Sequence, residues 1–64
     1  MTLKEYIKNG NKIKAVTREN KRLNMFIISY DKDKYIIKDL KTDIQREIKD
    51  IDKFLNKVEI WKQI

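Results

Sequence analysis

Two short apolar runs, "MFIISY" (25–30) and "YIIKDL" (35–40), flank the charged tetrad "DKDK" (31–34). Neighbouring residues within each run are apolar. Side chains alternate across a sheet, so a strand built from either run is apolar on both faces. The tetrad suits a turn, because Asp accepts turn geometry and the charges keep the tip in water. Pairing Tyr30 with Tyr35 sets Ile28 opposite Ile37. One face then holds Phe26, Ile28, Tyr30, Tyr35 and Ile37, and the other holds Met25, Ile27, Ile36 and Leu40. Such a sheet needs two covers, and a short chain has little material to supply them.

The chain of 64 residues sets that limit and implies a single domain over 1–64. At this size folding buries only about 60% of the unfolded surface, and a staple is usual. The sequence has no Cys and no His, which removes disulfides and the common zinc ligands together. It also has no Pro and only Gly10, which argues against flexible linkers. "MTLKEYIKNG" carries charges throughout and lacks the apolar centre of a signal peptide. No apolar run approaches the ~18–20 residues of a membrane span. The expected location is cytoplasmic, away from the membrane.

Residues 2–9 read as a short helix: Thr2 caps it, Glu5 completes a capping box, and Leu3, Tyr6 and Ile7 share a face. Gly10 is a natural stop, since it tolerates positive φ. In "KIKAVTRE" (12–19), Ile13, Ala15 and Thr17 alternate with Lys12, Lys14, Val16 and Arg18, which predicts a strand. "ENKRLN" then turns the chain into the next strand. Residues 41–49 admit two readings. Thr42 and Gln45 can box the start of a helix over about 43–62, or a turn at Lys41–Asp43 can lead into a fourth strand ending at Ile48. From Asp50 both readings give an amphipathic helix, with Ile51, Phe54, Leu55, Val58 and Trp61 inward. The expected fold is α+β: a short N-terminal helix, an antiparallel meander of three or four strands, and a C-terminal amphipathic helix packed on the sheet. The second sheet face then requires the N-terminal helix or a second subunit. A homodimer built on that face or on the C-terminal helix is expected.

"DLKTD…EIKDIDKFLNKVE" resembles the strand–turn–strand–helix ending of short accessory proteins from phages and mobile elements of AT-rich Gram-positive bacteria. The resemblance covers about residues 34–60. Their usual form is a "DLKTG" turn before an "IDEFL" helix start, and here Asp43 replaces the Gly. The resemblance implies an accessory role inside a host cell, such as silencing a defence, occupying host machinery or binding nucleic acid.

Catalytic chemistry finds little support. Nucleophilic and acid–base catalysis need a nucleophile with a base, or paired acids, and Ser29 lies inside a strand with no base nearby in sequence. Asp31 and Asp33 begin no calcium loop, because Tyr35 and Ile36 stand where an oxygen ligand and Gly belong. No catalytic residue, metal or cofactor is expected. The positive charge is the stronger signal. Of a net +6, residues 1–24 hold seven basic groups against two acidic ones. Thirteen of the sixteen basic residues are Lys, a bias that AT-rich codons produce without any binding role. Lys12, Lys14 and Arg18 would share a strand face with Lys21 and Arg22 at its tip, a stripe able to meet phosphates or an acidic protein. Tyr30 and Tyr35 flank the turn, where they either stack on a partner or pair across the strands. Phe26, Ile28, Ile37, Ile51, Phe54, Leu55, Val58 and Trp61 form the expected core or dimer surface. The expected function is a non-catalytic module that occupies a host protein stoichiometrically. Direct DNA or RNA binding through the basic third is the alternative.

Overall fold

The computed structural model describes residues 2–64. These form α1 (Leu3–Lys8), β1 (Ile13–Glu19), β2 (Arg22–Asp31), β3 (Lys34–Asp39), β4 (Gln45–Ile48), α2 (Ile51–Leu55) and β5 (Val58–Gln63). The strands make one antiparallel sheet in the order β4-β3-β2-β1-β5. The first four are a meander, and β5 returns from the far end of the chain to pair with β1.

The local signals act as their chemistry dictates. Thr2 Oγ1 accepts from the Glu5 amide at 3.2 Å, and Gly10 ends α1 at φ +99°. Two-residue turns close both hairpins. Asn20 and Lys21 stand at φ 49° and 68°, and Lys32 and Asp33 at 51° and 63°. Positive φ at both central positions is the turn whose twist matches that of paired strands. In β2–β3, Tyr30 pairs with Tyr35 and Ile28 with Ile37, the expected register.

After Asp39 the strand-and-turn alternative for 41–49 is realised. Asp39 Oδ1 accepts from the Lys41 amide at 2.8 Å, and Asp43, where Gly is usual in the resembled turn, adopts φ 63°. A short side chain that tolerates the left-handed region serves there in glycine's place.

The long C-terminal helix is corrected. Asp50 Oδ1 caps α2 by accepting from the Lys53 amide, but the helix ends at Leu55 and the chain re-enters the sheet as β5. The meander therefore has a fifth strand beside it. Without that strand, the edge of β1 would keep a row of unpaired amides and carbonyls.

The core lies between the sheet and both helices. Ile7, Ile13, Ala15, Phe26, Ile28, Ile37 and Ile51 are buried together, with Leu3, Tyr6, Tyr30, Tyr35, Ile48, Phe54, Leu55 and Val58 packed around them. Phe54 meets Phe26 edge-on at 5.4 Å between ring centroids. Trp61, expected inside, is 42% exposed; it lies at the rim with its ring 6.2 Å from Tyr6. The N-terminal helix does not cover the second sheet face. The Tyr35 hydroxyl donates to the Lys4 carbonyl at 3.4 Å and Lys4 bridges to Asp52 at 3.2 Å, so α1 and α2 share one face.

Candidate functional site

The register defines what the other face carries. Leu40, just past β3, lies beside Met25 on β2, Val16 on β1 and Ile60 on β5, giving an apolar row. The adjacent row reads Gln45, Lys38, Ile27, Lys14 and Lys62 across all five strands. Leu40, Met25 and Ile60 are exposed. No described element lies over them.

Where the two rows meet on β1 and β5, the surface dips into a shallow hollow of about 270 Å³ lined by Lys14, Val16, Met25, Ile60 and Lys62. Val16, Met25 and Ile60 give it apolar walls, and two ammonium groups stand beside them. Lys14 and Lys62 are direct cross-strand partners, and neither has an acidic partner among the described residues. Like charges set opposite one another in a sheet are destabilising. An anion seated between them would relieve that repulsion.

The expected basic stripe is divided by the structure. Lys14 and Arg18 do share the open face, but Arg18 Nε lies 3.5 Å from Glu59 Oε2 and is partly neutralised. Lys12 stands before β1, where its carbonyl accepts from the Ile64 amide. Lys21 is a turn residue, and Arg22 opposes Glu19 on the side of the sheet that carries the helices. Tyr30 and Tyr35 belong to that same side, with ring centroids 4.8 Å apart in an edge-on pair, so the cross-strand role is the one the geometry provides. Asp33 lies within 3.5 Å of the Tyr30 hydroxyl, which donates to it, and Asp31 pairs with Lys34. Ser29 is on the open face opposite Ile36.

Ile60 and Lys62 escaped the sequence reading because 58–63 fits a helix period. The alternation in "VEIWKQI", rich in β-branched and aromatic residues, was the signal for a strand. Lys38, also unassigned, is joined to Asp43 at 3.1 Å.

A larger depression of about 440 Å³ lies between α1, α2, β3 and β4, and its walls mix Lys4, Lys34 and Lys49 with Asp33, Glu47, Asp50 and Asp52. Its charges are largely satisfied from within, by Lys4–Asp52 at 3.2 Å and Lys34–Glu47 at 3.6 Å. The hydrogen bond and charge of Asp52 hold the Lys4 ammonium above its ordinary pKa of 10.5. The hollow at Lys14 and Lys62 differs in having cations without counter-charges beside exposed apolar side chains. No helix among the described residues is long and apolar enough to cross a membrane.

No protein-family model matches this chain, and neither a curated protein nor a solved structure matches it.

Proposed function

We propose that this chain is a non-catalytic binding module that occupies an acidic protein partner through the open face of its sheet. The observation that carries the reading is the Lys14–Lys62 pair beside the exposed row Leu40, Met25, Val16 and Ile60. A partner that brings carboxylates to the lysines and aliphatic side chains to the row would cover apolar surface and relieve like-charge repulsion in one step. A second copy would bring a further net +6 to this face instead of carboxylates. The sheet-face homodimer is therefore the weaker reading.

Nucleic acid is also disfavoured by what the face lacks. Sheets that bind single strands stack bases on aromatic side chains. Here the aromatic residues of the sheet, Phe26, Tyr30, Tyr35 and Trp61, belong to the helix-bearing side, and the open face presents none. The resemblance over 34–60 to accessory proteins of phages and mobile elements supports a partner drawn from a host cell.

The test is affinity capture from nuclease-treated lysate of the native cell, comparing the wild type with a variant carrying Lys14→Glu and Lys62→Glu. A partner held by the wild type and released by the variant supports the reading. Recovery of nucleic acid alone before nuclease treatment, with affinity falling steeply as salt rises, would replace it with nucleic-acid binding.

A further inference from the structure

We infer that the free edge of β5 takes up an extended acidic segment of the partner as a sixth strand, a mode that rests on the function proposed above. The two sheet edges differ sharply. At one, β4 has only four residues, and its Glu47 is tied to Lys34. Short, charged edges resist pairing. At the other, β5 has six residues with no Pro, and Ile60 and Trp61 are exposed along it, as is Ile64 just beyond.

The hydrogen-bond phase of β5 fixes which backbone groups are on offer. The Ile64 amide donates to the Lys12 carbonyl, and the register pairs Lys62 with Lys14 and Ile60 with Val16. Inward and outward groups alternate in an antiparallel ladder. The amides and carbonyls of Trp61 and Gln63 therefore point away from β1, towards the open edge.

The same phase specifies the occupant. An antiparallel strand added there bonds to Trp61 and Gln63 and sets its intervening residues opposite Lys62 and Ile60 on the open face. A carboxylate opposite Lys62 also approaches Lys14, and an aliphatic residue two positions on extends the apolar row beside Ile60. Charge selects a different, acidic chain over a second copy. Lys14, Lys57 and Lys62 have no acidic partner among the described residues, Glu59 is engaged by Arg18, and each copy carries net +6.

The experiment uses a synthetic peptide of the repeat glutamate–threonine–valine–threonine, titrated into the isotope-labelled protein and followed by amide exchange. Strand addition slows exchange of the Trp61 and Gln63 amides by about tenfold or more, since both pass from solvent to a ladder partner. Gln63→Pro removes one outward donor without touching the β1–β5 ladder, because edge strands accept Pro where the N–H faces solvent. It should weaken binding by about two- to tenfold, the scale of one lost hydrogen bond. Trp61 fluorescence confirms that the variant stays folded, and the exchange measurement on the wild type stands without it. If the peptide shifts Lys14, Val16 and Met25 while Trp61 and Gln63 exchange unchanged and Gln63→Pro binds normally, strand addition is refuted and the face reading survives. If the peptide leaves both sets unaffected while nucleic acid shifts the face, both proposals fall.

Discussion

Ile28 and Ile60 provide one substitution on opposite faces of the same sheet. Ile28 has no exposed surface, whereas Ile60 is 57% exposed. Truncation to Ala removes three carbons, about 2.4 kcal/mol of transfer free energy at ~0.8 kcal/mol per buried carbon. At Ile28 a cavity adds to that loss, for a total of about 3–4 kcal/mol. At Ile60 under half of the side chain leaves water on folding, so the expected cost is about 1 kcal/mol. A chain of this length has roughly 3–10 kcal/mol in total, so Ile28→Ala removes a large share and Ile60→Ala a small one. Urea unfolding followed by the fluorescence of Trp61, the single Trp, reads both changes. Each titration is run at two protein concentrations roughly a hundredfold apart, because association makes apparent stability concentration-dependent. If Ile60→Ala costs as much as Ile28→Ala, or costs more at the higher concentration, the open face is already covered by another copy. The face is then not free to receive a different partner.

Three further outcomes follow from local geometry. Lys21→Gly should stabilise the protein by about 0.5–1 kcal/mol in the same unfolding assay, because Lys21 stands at φ 68° and Asn-Gly is the favoured pair for this turn. A double-mutant cycle of Phe26→Leu and Phe54→Leu should give a coupling of about 0.5–1.5 kcal/mol, the usual worth of an edge-on ring pair; additive losses would show that the rings only fill space. Asp52→Asn should lower the Lys4 pKa towards 10.5, read by NMR titration of its side chain. The pair's small contribution is present below the ordinary value and lost as pH rises through the raised one, so in Asp52→Asn that alkaline component of the stability profile should disappear.

Much of this architecture is visible in the sequence because its signals are local. Thr2, Gly10 and the Tyr30–Tyr35 register each depend on residues a few positions apart, and the alternation of Ile13, Ala15 and Thr17 marks the buried side of β1 without further context. The C-terminal third is less legible. Ile51, Phe54, Leu55, Val58 and Trp61 fit a helical stripe, while Val58, Ile60, Trp61 and Ile64 equally suit a strand. The choice between periods is made by the unpaired edge of β1, which lies more than forty residues upstream, and no window of neighbouring residues contains that information. The candidate site inherits the same difficulty: Lys14 could be suspected alone, but its pairing with Lys62 exists only once β5 is placed.

The placement of β5 also sets an order on folding. Two-residue turns let β1–β2 and β2–β3 close as hairpins, events of about 1–10 μs. β5 has to find β1 across the whole meander, and that loop closure is paid before any contact of the new pair rewards it. Loop closure thus favours hairpin formation ahead of the docking of β5 on β1. During synthesis, the chain exposes the bare edge of β1 until residues 58–63 emerge. On this side of the sheet, the edge open to pairing therefore passes from β1 to β5 once residues 58–63 have docked.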